Sequence, residues 1–319
     1  MINRRLLRIK VLQVLYSFHC GGEGSLPEAE KTLLHSVAAH FGLQCLLLRL
    51  PLALADVDRE TRARRQRVLH PRVGSGAVPS SGRGLDENGV ICALRSNEHL
   101  ASYRPIDGMD WRDADALVAQ LYSALEEQPF FQEYVRATDG VSRWEDELRF
   151  ADELYSWFEG LETLREAVED VDGWLSVDLD TVLHTIRGQL QRGGQESLSN
   201  RVLIVDELEK ADRDFALRLL GLSVLQKEQA LATVARFTRG WEMERLAVMD
   251  MLILQMAVTE SVNFSDIPRR VTINEYIELA HLFCSLSSPS FVNGILDNLT
   301  QALVREGAIQ KTGIGLQGE

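Results

Sequence analysis

Apolar residues recur every three or four positions along most of this chain, the spacing of helices that bury one face. This spacing predicts helices over residues 3–19, 27–41, 43–55, 111–137 with a break near Pro129, 141–190 and 243–258. The last of these is apolar almost all round, which is typical of a buried central helix. No stretch alternates with a period of two over a useful length. We therefore expect an all-α fold.

Two further helices near the C-terminus are marked by their first residues. Thr272 followed by Glu275 matches a capping box. Ser288 before Pro289 matches an N-cap with proline in the first turn. The second of these helices carries apolar residues on one face, at Val292, Ile295, Leu296, Leu299 and Leu303.

Phe291 does not belong to that apolar face. It lies about 100° from Val292 around the helix and precedes Asn293 at the helix N-terminus. Backbone donors and the positive end of the helix dipole point outward there. An aromatic side chain off the core face is the first indication of a binding site.

Composition suggests a chain of four segments. Residues 59–84 combine clustered arginines with Pro, Gly and Ser, a composition typical of a linker. The stretch 85–106 is weakly patterned and predicts irregular structure with some helix. The expected segments are an N-terminal helical segment with an arginine-rich first helix (1–58), a linker or irregular insertion (59–110), an acidic helical region (111–200) and a C-terminal helical domain (201–319).

The acidic and C-terminal regions share a short similarity. Residues 149–154 resemble residues 214–219, and each hexapeptide is followed by a tryptophan, Trp174 or Trp241. The offset between the two copies is about 65 residues. It indicates a possible internal duplication of a helical unit.

Charge narrows the possible partners. The formal net charge of -13 argues against general affinity for nucleic acid. Locally, however, Arg4, Arg5 and Arg8 lie on one flank of the first helix, and no acidic residue precedes Glu23. This flank is either the solvated end of a helix or a surface that contacts phosphate. The many acidic residues of 141–190 are typical of solvated helix faces.

Cysteine usage and hydropathy indicate a cytoplasmic protein. The four cysteines (Cys20, Cys45, Cys92 and Cys284) are scattered, as expected of reduced thiols. No run of some 18 apolar residues predicts a membrane span. The apolar N-terminal run is interrupted by polar residues and lacks a signal-peptide cleavage site.

The motifs of common enzymes are absent from the sequence. It contains no phosphate-binding glycine loop, no dinucleotide fingerprint, no His-Glu-x-x-His and no Gly-x-Ser-x-Gly. The seven histidines are dispersed. We expect no catalytic residue, no metal site and no cofactor, and hence no enzyme.

Two motifs resemble those of the NusB transcription antitermination factors. They read VTINEYIELA at 271–280 and FVNGILD at 291–297, and the similarity extends over about 207–303. The first helix, with its arginines followed by Gln13 and Tyr16, is also similar to the first helix of that family. The longer chain, with its acidic helical middle, resembles the extended Bacteroidetes-type members.

The resemblance implies a NusB-like fold of two packed helical subdomains with an extended helical middle region. It implies binding of boxA RNA in ribosomal RNA leader transcripts, together with the small-subunit ribosomal protein NusE, in an RNA polymerase antitermination complex. The RNA-binding residues that it implies are Arg4, Arg5, Arg8, Gln13, Tyr16, Phe291 and Asn293. Aromatic faces for bases and cations for phosphates suit single-stranded RNA. We therefore expect Phe291 to lie beside the three arginines.

Other interpretations remain open. The loop 284–290 lacks the acidic residues that many family members use for NusE, so the partner interface is not assigned. The alternative function is that of a protein-only helical scaffold, or of a homodimer, that uses the acidic middle region as its working surface. A fused RNA-modifying enzyme would need a cofactor motif, which the sequence lacks.

Overall fold

The computed structural model describes residues 4–21, 24–69, 83–104, 110–111, 114–137, 143–204, 208–238 and 246–317, with only the backbone of Leu69 and Trp174. Within these ranges the chain forms helices and no strand, so the all-α prediction is confirmed. The described α-helices are α1 Arg4–Gly21, α2 Leu26–Leu69, α3 Gly89–Arg95, α4 Glu98–Ser102, α5 Asp115–Glu126, α6 Pro129–Arg136, α7 Trp144–Glu159, α8 Glu162–Val171, α9 Gly173–Gln191, α10 Gln195–Asn200, α11 Lys210–Leu225, α12 Lys227–Ala235, α13 Val248–Asn263, α14 Arg269–Phe283 and α15 Ser288–Arg305.

The chain divides into two compact units. Unit 1 consists of Met1–Val37 with Glu207–Glu319, and unit 2 consists of Ala38–Asp206. Tertiary contacts thus join the N-terminal helix to the C-terminal region within unit 1, and the division into four segments by composition stays a prediction. The sequence pattern assigned the N-terminal helix and the C-terminal region to separate segments, because they are distant along the chain.

Helix α2 is longer than the sequence pattern predicts. It is one helix from Leu26 to Leu69, whereas we expected two helices and a linker from residue 59. Its last turns are held by ion pairs such as Arg62 Nε to Asp58 Oδ2 at 2.9 Å. Of the arginines in that stretch, Arg59, Arg62 and Arg65 are ion-paired near the polar end of this helix. Residues 70–82, which hold every Pro and Gly of that prediction except Gly84, lie outside the described residues.

The stretch after this gap is also more regular than expected. A short 3-10 turn at Leu85–Glu87 is followed by α3 and α4. Asn88 and Asn97 cap these two helices by accepting hydrogen bonds from backbone amides of the first turn. Leu85 of the turn, Leu94 of α3 and Leu100 of α4 are buried in unit 2.

Helix α13 is the core element of unit 1. All its residues from Leu252 to Ser261 are buried, as predicted for a central helix, although the helix begins at Val248. It packs against α1, α11, α12, α14 and α15. The apolar face predicted for α15, from Val292 to Leu303, is buried as well. Every other helix of unit 1 that carries a candidate site residue is therefore positioned by α13.

The two predicted N-caps are not the observed ones. Helix α14 begins at Arg269 after Pro268, so Thr272 lies inside the helix. Helix α15 begins one residue before its expected start, with Ser287 in the N-cap position. In both cases the hydroxyl that was expected to cap the helix binds a buried carboxylate of α13 instead, Glu260 or Asp250.

The internal similarity has a structural counterpart. Moving α7 and α8 by 65 residues places them at 209–224 and 227–236, which nearly coincide with α11 and α12. Each pair is followed by a further helix, α9 or α13, that packs on both helices of the pair. Trp241 and the Trp174 side chain lie outside the described residues. The helix order agrees with a duplicated unit, which remains a prediction.

Within the described ranges, one helix has the length and composition of a membrane span. Residues Leu26–Val68 are long and apolar enough to cross a bilayer, but 78% of the most apolar window is buried within the protein. Burial of this kind is what a core helix requires.

The C-terminal tail returns to the end of α13. Gly307, with a φ of 72°, ends α15 in the left-handed conformation that favours glycine. The turn brings Lys311 to the last carbonyl groups of α13, where Nζ donates to Ser261 O at 3.0 Å and to Phe264 O at 2.9 Å. A cation at a helix C-terminus is also favoured by the helix dipole.

Replacing this lysine should weaken unit 1. We expect Lys311→Met to lower the free energy of unfolding by about 1–3 kcal/mol, because two buried carbonyl groups lose a charged donor. Urea denaturation followed by circular dichroism measures the change. The exposed Lys31→Met is the matched control and should unfold like the parent. Equal stability of the two variants would contradict the role of Lys311.

Candidate nucleic-acid interface

A buried ion pair joins the first helix to the core of unit 1. The Arg8 guanidinium donates to both oxygens of Glu260, from Nε at 2.7 Å and from Nη2 at 2.8 Å. The same carboxylate accepts from Thr272 Oγ1 at 2.9 Å and from Tyr276 OH at 3.1 Å. One carboxylate on α13 thus connects α1 with α14.

The charge of this pair is stabilised by its partners. Burial disfavours the charged form of Arg8, but hydrogen bonds and attraction from Glu260 more than offset it and raise the Arg8 pKa. Burial and then the Glu260 charge raise the pKa of Tyr276 well above its usual value. Tyr276 is therefore a neutral donor. The Arg8 side chain is only 3% exposed, so it does not reach the protein surface.

The other two arginines of the first helix lie nearer the surface. Arg5 binds Glu275 through Nε and Nη2, at 2.9 and 3.0 Å, and Glu278 through Nη1 at 3.1 Å. The hydrogen bonds to Glu275 are the main reason that the Arg5 pKa is raised. Arg4 approaches Asp212 with Nε at 3.4 Å and is the more exposed of the two, at 39%.

An aromatic ring supports the same flank. The guanidinium carbons of Arg4 and Arg8 lie 5.0 and 5.1 Å from the centre of the Phe215 ring, within the range of cation–π attraction. Phe215 in turn contacts Phe264 edge to face, with ring centres 5.3 Å apart. These contacts hold the arginine flank against α11 and the end of α13.

Helices α1 and α15 each contact α13 through a side chain, and the two contacts lie at different levels along α13. Helix α1 reaches the C-terminal end of α13 through the bond from Arg8 to Glu260. Helix α15 reaches the N-terminal end of α13 through Ser288 Oγ, which donates to Asp250 Oδ2 at 3.1 Å. Ten residues of helix separate these two contacts, which is about 15 Å. Arg8 itself is buried, and the expectation that Phe291 lies beside the three arginines stays a prediction.

The region around Phe291 is built on Asp250. Besides Ser288, the thiol of Cys284 interacts with this carboxylate, and burial together with that hydrogen bond raises the Cys284 pKa to about 12. Phe291 lies in the first turn of α15, half-buried, and Asn293 is exposed. On α1, Gln13 is half-buried and Tyr16 is 42% exposed. Tyr16, Phe291 and Asn293 are thus accessible for contact.

Sequence reading missed the buried carboxylates that organise this surface. Asp250 and Glu260 stand in or next to an apolar run, and both are buried. A carboxylate within a helix that is otherwise fully buried needs a partner, which is a signal that the sequence did contain. No set of three His, Cys, Asp or Glu side chains suited to a metal ion occurs within the described part of the chain.

Comparison with known proteins gives a consistent result. A sequence model of the NusB family matches residues 181–301. The transcription antitermination protein NusB of Salinibacter ruber is 31% identical over 141 residues, which cover 44% of this chain and 88% of that protein. The protein of the same name from Symbiobacterium thermophilum is 39% identical over 98 residues, which cover 31% of this chain and 64% of the relative.

A third relative and one solved structure extend the comparison. NusB of Acetivibrio thermocellus is 32% identical over 113 residues, covering 35% of this chain and 78% of the relative. The solved structure of T. maritima NusB is 26% identical and covers 37% of this chain and 82% of that chain, with a TM-score of 0.29.

The buried ion pair makes a direct prediction about stability. We expect Glu260→Ala to lower the free energy of unfolding by about 3–5 kcal/mol, because the Arg8 charge is left buried without its partner. Urea denaturation followed by circular dichroism measures this loss.

Two further variants control this experiment. The double variant Arg8→Met with Glu260→Met should recover part of the loss, since no charge is then buried alone. Glu306→Ala, which removes the exposed pair between Arg236 and Glu306, should unfold like the parent. If the double variant is less stable than Glu260→Ala, the loss of stability does not come from leaving the Arg8 charge buried alone.

Proposed function

This chain belongs to the NusB family, and from that relationship we propose that it binds boxA-type RNA of ribosomal RNA leader transcripts as a transcription antitermination factor. The observation that carries the proposal is the match to the Salinibacter transcription antitermination protein over 88% of that protein's length. We further propose that it acts in the cytoplasm with NusE in an RNA polymerase antitermination complex. It would therefore work by binding, without a catalytic step.

The proposed RNA surface lies on unit 1. Unit 1 contains 16 Lys and Arg residues and 18 Asp and Glu residues, whereas unit 2 contains 18 Lys and Arg residues and 29 Asp and Glu residues. Most of the net negative charge is therefore in unit 2, and RNA phosphates are repelled less by unit 1. A nearly neutral surface also favours binding of one short element over general RNA affinity.

The candidate residues take different roles in this proposal. Arg4 and Arg5 contact phosphates from the exposed flank of α1, each oriented by its carboxylate partner. Arg8 is a positioning residue, because its buried guanidinium holds α1 on α13. Gln13 hydrogen-bonds to RNA next to Tyr16.

The accessible aromatic residues supply the base contacts. Tyr16 on α1 and Phe291 at the start of α15 stack on unpaired bases, which single-stranded RNA presents. Asn293 is exposed in the same turn and offers an amide to a base edge. Arg8 lies on α1 and Phe291 lies on α15, and these two helices contact opposite ends of α13. A bound RNA would therefore follow an extended path over unit 1.

The aromatic residues provide the first test of this function. We expect Phe291→Ala to weaken binding of a fluorescein-labelled, single-stranded boxA RNA about tenfold, because one stacked base loses its partner. Fluorescence anisotropy at fixed salt measures the affinity, with and without NusE. Phe130→Ala, which removes a half-buried phenylalanine of unit 2, is the matched control and should bind like the parent.

Salt dependence tests the arginines separately. For the double variant Arg4→Gln with Arg5→Gln, the slope of log affinity against log salt should fall by about 1.4, since two phosphate contacts are lost. Binding of both variants and the parent with equal affinity would refute the assigned surface. Parent protein that binds boxA RNA no better than a scrambled RNA would refute the function itself.

The alternative function, a protein-only scaffold or a homodimer, is supported by the acidic excess of unit 2. Size-exclusion chromatography with light scattering distinguishes it from the RNA-binding function. A dimer that persists unchanged at saturating boxA RNA, without a bound RNA fraction, would favour the scaffold.

A further inference from the structure

A cavity opens at the C-terminal end of α1. It has a volume of about 200 Å³ and is lined by Leu15, Phe18, His19, Val224, Lys227, Leu252 and Gln255. Its walls are apolar, while Lys227 and His19 stand together, with Lys227 Nζ 3.4 Å from His19 Nδ1. Three helices of unit 1, α1, α11 and α13, contribute to it together with the first residue of α12. None of these side chains belongs to the RNA surface proposed above.

The cavity contains a polar group that needs a partner. Gln255 is 1% exposed, and its Nε2 donates to Ser223 O at 2.7 Å. Its Oε1 has no hydrogen-bond partner among the described residues. An unmet buried acceptor costs free energy unless water or a ligand donates to it. The Gln255 amide therefore offers an acceptor to a ligand that carries an N–H group.

The Phe18 ring lines this cavity and also a second one. Phe18 also lines a neighbouring cavity of about 260 Å³, which is bounded by Gly24, Ser25 and Glu28 at the start of α2. The ring is seated directly against the backbone, because a Cβ at Gly24 would lie 3.1 Å from Phe18 Cδ2. An aromatic ring that lines a cavity and is held by close backbone packing is suited to stacking a planar group.

We infer that the cavity lined by Phe18 and Gln255 receives one unpaired nucleobase of the bound RNA. The base stacks on Phe18 and donates an N–H to Gln255 Oε1, while Lys227 and His19 approach the adjoining phosphate. A nucleobase combines the three required properties, namely a planar apolar face, an N–H donor and a nearby anion. This inference rests on the proposed RNA-binding function and adds a base-specific contact to it.

A protein side chain is the competing occupant. A tryptophan could fill the space and donate its indole N–H, but it would need an acidic neighbour to meet Lys227 and His19. RNA carries a phosphate next to every base, so it can pair with Lys227 and His19 whatever its sequence. The exposed Tyr16, one residue after Leu15 on α1, continues the aromatic surface away from the cavity. These observations favour the nucleobase.

The experiment compares three cavity variants with the parent. We expect Phe18→Leu, Gln255→Met and Lys227→Gln each to bind fluorescein-labelled single-stranded boxA RNA about fivefold more weakly. For Lys227→Gln the salt slope should also fall by about 0.7, the value for one phosphate contact of a single strand. The exposed Lys31→Gln makes the same change of charge outside the cavity lining and should bind like the parent. Thermal unfolding checks that every variant is folded.

An abasic scan then identifies the base. BoxA RNAs with one abasic residue at each position in turn are titrated against the parent and against Phe18→Leu and Gln255→Met. We expect one position at which base removal weakens parent binding but changes the binding of the two variants by less than twofold. Such non-additivity occurs only if base and side chain act on each other.

The outcomes separate this inference from the proposed function. Suppose that the parent binds boxA RNA specifically, and that every abasic position weakens binding of the cavity variants as much as it weakens binding of the parent. The nucleobase site is then refuted, while the proposed function stands. If those variants bind RNA normally but lose affinity for NusE, the cavity receives a protein side chain and the inference is also refuted. If the parent itself fails to bind specifically, the proposed function fails first.

Discussion

The buried ion pair between Arg8 and Glu260 is the interaction on which unit 1 depends. One carboxylate accepts four hydrogen bonds, from Arg8, Thr272 and Tyr276, and so connects α1, α13 and α14. A buried pair adds little net stability compared with apolar residues, but it strongly penalises arrangements in which either charge is alone. Its main effect is therefore to specify how the N-terminal helix docks on a region some 250 residues later.

That docking decides which side chains the protein presents. With Arg8 fixed at the end of α13, Arg4 and Arg5 reach the rim of unit 1, and the far end of α1 brings Phe18 and His19 to Gln255. Asp250 organises the opposite end of α13, where it binds the first turn of α15. The accessible surface is consequently extended along the core helix, and unit 2 carries most of the negative charge.

The candidate site could be predicted only in part. Tyr16 and Asn293, which the family resemblance implied as RNA contacts, are exposed. Arg8 was expected at the surface with Arg4 and Arg5, but it is buried. Nothing in the local sequence distinguishes it from its neighbours, since the difference arises from Glu260 on another helix. Gln255 and Lys227 escaped notice for the same reason.

The sequence by itself determined the helical fold, the central position of α13, the buried face of α15 and membership of the family. These features depend on residues a few positions apart, whose spacing is visible in the sequence. The tertiary structure decided the partner of each arginine, the use of Thr272 and Ser288 as donors to buried carboxylates instead of caps, and the continuation of α2 to Leu69. Such choices depend on charges brought together from distant parts of the chain, and only the folded packing determines which of them meet.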